Sequence, residues 1–351
     1  MSRFIHSRYQ AMEPYTPGEQ PPGRKLIKLN TNESPYAPSP KVLEAVDRAQ
    51  VELLRLYSDP EAKILVNAIA GFYGLEPAQV VVSNGSDEIL AFCYMAFGEQ
   101  GFRYPEISYG FYPVFSETFA VDGEAIALND DFSIDITKYF NAGKTVLIAN
   151  PNAPTGLYLG LDQIEEILKH NCDNVVIIDE AYVDFGGESA VKLLERYDNL
   201  VVVQTFSKSR SLAGARLGFA LASKELAEDL NKMKFSFNPY NVNRLSMVAG
   251  AEAMKDTAYF YECTERIMKT REKTSETLKA MGFTVLPSKA NFLFAKPGNM
   301  DGTEYFMKLR EEGVLVRHWS NPKIVDYVRI TIGSEEEMEQ FCQITKKIVE
   351  G

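Results

Sequence analysis

Short β-branched runs that end in polar residues constrain this chain more than any other feature. Val80-Val-Val-Ser83, Thr145 to Ala149, Val175-Val-Ile-Ile178 and Leu200-Val-Val-Val203 do not alternate apolar with polar, so they read as strands covered on both faces. Helical stretches separate them: a helix holding the apolar run Ile89 to Phe97, then Leu161 to His170 and Ala190 to Arg196. The alternation continues to a strand at Leu217 to Ala222 and predicts a mostly parallel sheet covered by helices. Ligands bind such sheets outside the carboxyl ends of the strands, so the polar residues that follow each run are the first candidates for a site.

Beyond residue 222 the pattern changes. Helices are expected at Asn241 to Met254, Tyr259 to Met281 and Glu304 to Glu312, with short strands at Phe283 to Leu286, Asn291 to Ala295, Val314 to Arg317 and Val328 to Ile332. A last helix places Met338, Phe341, Cys342, Thr345, Ile348 and Val349 on one face. The division this suggests is an N-terminal arm (1–30) on a small α+β domain (256–351), beside a large ligand-binding domain (31–255). The arm carries Pro14, Pro17, Pro21 and Pro22 with Gly18 and Gly23, a composition for extended chain in which Tyr15 is a candidate contact. A length of 351 residues suits two domains.

A net charge of -11 disfavours nucleic acid and anionic membrane surfaces as partners. Cys93, Cys172, Cys263 and Cys342 form no metal-ligand or redox pair, which fits a reducing cytoplasm, and three histidines without a His-x-x-x-His pair leave no metal site to expect. No signal peptide or membrane-spanning run is seen; the Ile89 to Phe97 stretch is too short to cross a bilayer.

The strand-end residues are Gly85 and Ser86, Tyr109, Asn152, Asp179, Tyr182, Thr205, Ser207, Lys208 and Arg216. Asp179 ends a buried run, where a carboxylate is costly unless it is paired or faces a crevice. Gly85 and Ser86 open a helix whose N-terminus suits an anion, although no dinucleotide or P-loop pattern is present. One kind of ligand uses all of them: a flat ring with a phosphate, an aldehyde and a basic ring nitrogen. The lysine amine would condense with the aldehyde, the carboxylate would keep the ring nitrogen protonated, and an aromatic side chain would cover the ring.

With these motifs the chain resembles the fold-type I pyridoxal-phosphate aminotransferases, and among them the histidinol-phosphate branch, over nearly its whole length. The matching stretches are Asn32-Glu33-Ser34-Pro35, Tyr57 before Ser-Asp-Pro, Asn84-Gly-Ser-Asp87, Tyr109-Gly-Phe-Tyr112, Pro154-Thr-Gly156, Asp179-Glu-Ala-Tyr182, Ser207-Lys208 with Arg216, Pro239-Tyr-Asn-Val-Asn243, Ala290-Asn-Phe292 and Arg329-Ile-Thr-Ile-Gly333. The resemblance implies pyridoxal 5'-phosphate as cofactor, small amino and keto substrates and a homodimer with its site at the subunit boundary. It also implies catalytic roles for Lys208, Asp179 and Tyr182, and cofactor contacts from Gly85, Ser86, Asp87, Tyr109, Asn152, Thr205, Ser207 and Arg216. Tyr57 would reach the neighbouring subunit's cofactor, and Tyr15, Asn32, Glu33, Asn291, Arg317 and Arg329 would bind substrate.

One position departs from that pattern. The family has Asn directly before Pro-Thr-Gly, to bond the ring oxygen, and this chain has Ala153 there. Either Asn152 reaches in its place or Tyr182 makes that bond alone. Within the same fold, a threonine-phosphate decarboxylase and an aromatic amino-acid aminotransferase are rival readings. A non-catalytic regulatory domain is a more distant one, disfavoured by the acidic composition.

Overall fold

The computed structural model describes residues 4–19 and 26–351; Pro21, Pro22 and Gly23 of the arm lie outside them. Seven strands form the main sheet, in the spatial order Val80–Ser83, Gly218–Ala222, Leu200–Thr205, Val176–Asp179, Thr145–Ala149, Phe102–Pro105, Gly123–Ile126. Only Gly218–Ala222 runs antiparallel to its neighbours; the other pairs are parallel. The β-branched runs are buried on both faces, as their lack of alternation required. Val80, Val82, Val146, Ile148, Val176, Ile178 and Val202 pack into one apolar cluster. Val81, Leu147, Ile177, Val201 and Val203 pack into the opposite one. Each fully buried side chain of this size contributes roughly 1.5–3 kcal/mol.

Because six strands point the same way, the residues after Ser83, Pro105, Ala149, Asp179 and Thr205 emerge along one edge. The antiparallel Gly218–Ala222 begins at that edge, and so adds Arg216 to it.

A four-stranded antiparallel sheet, ordered Arg317–His318, Val328–Thr331, Phe292–Lys296, Thr284–Val285, packs with the helices Thr257–Ala280, Gly302–Glu311 and Glu335–Glu350 around a separate apolar cluster. The expected single strand from Val314 to Arg317 is two pieces. Val314–Leu315 pairs in parallel with Ile27–Lys28, while Arg317–His318 joins the four-stranded sheet.

Two helical expectations need correction. Ala190 to Arg196 is only a 3-10 turn, Ala190–Leu193, because the buried Glu180 carboxylate takes the Ala190 N–H (2.6 Å) and the Ser189 hydroxyl (2.6 Å). Lys224–Phe237 is a helix that the sequence reading passed over, capped by Ser223, which accepts from Leu226 N. The following helix starts at Arg244, not at Asn241, because Asn243 caps it through Ser246 N. Among the described residues no helix is long and apolar enough to cross a membrane.

Candidate active site

All of the strand-end residues except Gly85 and Asn152 line a cleft of about 680 Å³. Lys208, Asp179, Tyr182, Ser86, Asp87, Tyr109, Thr205, Ser207 and Arg216 line it on the main-sheet side. Tyr15, Asn32, Glu33, Arg317 and Arg329 line it on the other.

Lys208 follows Thr205 on a turn in which Thr205 Oγ1 accepts from Ser207 N at 3.1 Å. Its Nζ donates to the Thr31 carbonyl (3.1 Å) and lies 5.8 Å from the Tyr182 ring centroid. Burial lowers its pKa to about 8, and the Arg329 charge adds to this while Glu33 and Asp87 oppose it. The amine is therefore far closer to its neutral, nucleophilic form than a surface lysine.

Asp179 sits at the end of its strand with its carboxyl buried. Burial raises its pKa to about 6, against the hydrogen bonds from Tyr112 and the Ala181 N–H. Tyr112 donates to Oδ2 at 2.8 Å. Sequence reading missed this tyrosine, which sits in the first turn of the helix Phe111–Phe119, although it stands in the same Tyr109-Gly-Phe-Tyr112 stretch as Tyr109.

Ser86 begins the helix Ser86–Phe97, directly after Gly85 with φ of +87°. A Cβ on Gly85 would stand 2.6 Å from Nη2 of Arg216, and a Cβ on Gly218 would stand 2.2 Å from Ser86 N. The two glycines let the arginine and the helix end converge on one cup, where unpaired N–H groups and a positive helix dipole suit a phosphate. Gly214 is different: no atom lies within 4 Å of a Cβ built there, so close approach does not require it. Arg216 meets Asp87 Oδ2 at 3.4 Å, and Asp87 Oδ1 accepts from Tyr109 (2.8 Å).

Three proposed contacts sit elsewhere. Asn152 does not line the cleft. Its amide donates to the Ile107 carbonyl (2.9 Å) and Thr155 (3.1 Å), and its oxygen accepts from Ser108 (2.8 Å), so it braces the 107–108 loop while Ala153 faces the cleft. Tyr182 is then left as the ring-oxygen candidate, and its hydroxyl already accepts from Asn32 at 3.0 Å. Asn291 is fully buried and donates to the Asn32 carbonyl (3.0 Å), supporting that residue from behind. Tyr57 is 81% exposed and stacks on Tyr240 at 4.6 Å, outside this cleft.

At the other end, Arg329 is held by the Asn30 carbonyl (2.9 Å), and its buried Nε has no partner. Burial lowers its pKa. The arm closes this side: Tyr15 stacks on Phe111 at 4.5 Å, and Arg317 donates to the Thr16 (2.9 Å) and Pro17 (3.3 Å) carbonyls.

Comparison with known proteins gives the family. The sequence profile of the family described as aminotransferase class I and II matches residues 24–344. The chain belongs to the class I and II aminotransferases. The histidinol-phosphate aminotransferase of Brachyspira hyodysenteriae is 51% identical over 352 residues, with 99% of each chain covered. The solved histidinol-phosphate aminotransferase of Clostridium acetobutylicum has 25% identity and a TM-score of 0.86 over 93% of this chain and 99% of its own. That of Sinorhizobium meliloti, in complex with pyridoxal-5'-phosphate, has 24% identity and a TM-score of 0.85 over 93% and 92%, a likeness of fold.

Proposed function

We propose that this aminotransferase uses pyridoxal 5'-phosphate to exchange the amino group of L-histidinol phosphate for the keto group of 2-oxoglutarate, giving imidazole-acetol phosphate and glutamate. The observation that carries the reading is an amine of lowered pKa, Lys208, sharing a cleft with the buried carboxyl of Asp179, in a chain half identical throughout to a histidinol-phosphate aminotransferase.

The residues fit the cofactor. The cup that only glycine at 85 and 218 keeps open suits its phosphate, with Ser86, Thr205, Ser207 and Arg216 around it. Asp179 would face the ring nitrogen, Tyr182 the ring oxygen and Tyr109 the ring face, while Lys208 would hold the aldehyde carbon. When bound, the cofactor supplies a protonated ring that withdraws electrons from the substrate carbon being deprotonated.

The chain does the rest. Lys208 Nζ, freed once the substrate amine takes its place, would carry the proton from the amino-bearing carbon to the cofactor's former aldehyde carbon within one half-reaction, and would carry it the opposite way in the other. Tyr112 keeps Asp179 oriented through its 2.8 Å bond. Arg329 offers a planar fork with an unused Nε, which accepts carboxylate or phosphate, so two alternating substrates can share one anion site. The arm residues Tyr15 to Pro17 narrow the mouth and limit water.

The reading includes a homodimer, divided as a large domain (31–255) and a small one (256–351) with the arm. Tyr57 would complete the neighbour's cofactor cup. Its exposure, its stacking on Tyr240, and the exposed Leu54, Leu56, Phe235 and Phe237 on the two segments it joins support this. Four unpaired cysteines support a cytoplasmic setting.

The test is direct. Purified protein loaded with the cofactor should form glutamate from 2-oxoglutarate and L-histidinol phosphate. Release of carbon dioxide from L-threonine phosphate instead, or turnover of aromatic amino acids alone, would overturn the reading.

A further inference from the structure

Arg329 touches two aromatic rings. Its guanidinium carbon lies 5.4 Å from the Phe292 ring centroid and 5.5 Å from that of Trp319. Trp319 also meets the Arg317 guanidinium at 5.9 Å. Phe292 in turn meets Tyr182 edge-on at 5.0 Å. An aromatic and guanidinium row therefore runs from Tyr182 through Phe292, Arg329 and Trp319 to Arg317, and all but Phe292 line the cleft.

Neither arginine has a carboxylate partner among the described residues; the carbonyls of Asn30, Thr16 and Pro17 are their hydrogen-bond acceptors. Arg317 makes it harder for Arg329 to hold its charge. Two cations without counter-ions on one cleft wall need something to offset their repulsion and fix their planes. The negative face of an indole within about 6 Å of each can do both.

We propose that Trp319 is a positioning residue for substrate anions: its indole holds the guanidinium planes of Arg329 and Arg317 toward the cleft, so that it governs affinity for anionic substrates and not the proton transfer. This rests on the aminotransferase reading above and adds a residue that the motif resemblance leaves out.

Trp319 is the only tryptophan in the chain, so its emission reports on this wall alone. With the cofactor-loaded enzyme, titration with inorganic phosphate and with 2-oxoglutarate should each give a saturable emission change, absent in Arg329→Gln. Trp319→Leu should raise KM for both L-histidinol phosphate and 2-oxoglutarate by about tenfold, with kcat changed by less than about twofold. Trp319→Phe, which keeps an aromatic face, should recover most of that affinity. The proposal is overturned if Trp319→Leu leaves both KM values unchanged, if it lowers kcat alone, or if Phe behaves as Leu does. Failure of the substrate reading is separately visible: wild-type enzyme would then not turn over histidinol phosphate, while the emission titrations need no turnover.

Discussion

Tyr112 donates its hydroxyl proton to Oδ2 of Asp179 at 2.8 Å, and both groups are buried. This bond favours the ionised carboxylate against a burial that raises its pKa to about 6. Tyr112→Phe should move the Asp179 pKa further up. In a pH profile of kcat/KM, the acid limb attributed to Asp179 should shift to higher pH, and a shift of about one unit would lower activity at pH 7 by about twofold. An unmoved limb would remove Tyr112 from this role.

Asp179 also makes a stability prediction. Its folded pKa lies above the unfolded value of 3.8, so between about pH 4 and 6 the folded protein binds more protons than the unfolded one, and stability from this group falls as pH rises through that window. Above it the ionised group costs the fold. Asp179→Asn should therefore stabilise the cofactor-free protein at pH 7.5 by on the order of 2 kcal/mol, with little gain at pH 4, while abolishing turnover. Chemical denaturation at the two pH values checks this.

Lys208→Ala should abolish turnover and the visible absorbance of cofactor held through that amine. In the wild-type chain the amine becomes neutral as pH rises through about 8, so the rate of cofactor uptake should climb between pH 7 and 9 and then level. Stopped-flow absorbance reads it; a flat profile would show that another group limits uptake.

Gly218→Ala should be costly because its Cβ would meet backbone, with Ser86 N at 2.2 Å, which cannot rotate away. The expected loss is about 2–3 kcal/mol of stability, together with weaker cofactor retention. Gly214→Ala, where no atom lies within 4 Å, serves as the control and should change neither. Urea melts and dialysis of the loaded protein separate the two.

Tyr57→Ala tests the subunit boundary. Mixing inactive Lys208→Ala chains with Tyr57→Ala chains under subunit exchange should restore activity, because one site of each mixed dimer is then intact. Activity no greater than the sum of the separate variants would argue that Tyr57 does not act across an interface.

Local chemistry was enough to read the strands. The strands Val80–Ser83, Thr145–Ala149, Val176–Asp179 and Leu200–Thr205 were visible from the runs Val80 to Ser83, Thr145 to Ala149, Val175 to Ile178 and Leu200 to Val203, because burial on both faces leaves no place for polar alternation. The positions of Lys208, Asp179 and Ser86 followed, since each sits at a strand end and a common strand direction brings strand ends together. Folding alone assigned the side chains between elements. Asn152 and Ala153 are neighbours in the chain, yet the fold turns Asn152 into the 107–108 loop and Ala153 into the cleft, and no spacing rule distinguishes them. Tyr112 and Trp319 gain their partners across 67 residues in one case and between the 317–319 stretch and the neighbouring strand bearing Arg329 in the other. Periodicity records which face of an element is buried, because burial acts on every residue in turn. The identity of the group met on that face depends on how separate elements pack, and that is set only once the whole chain is compact.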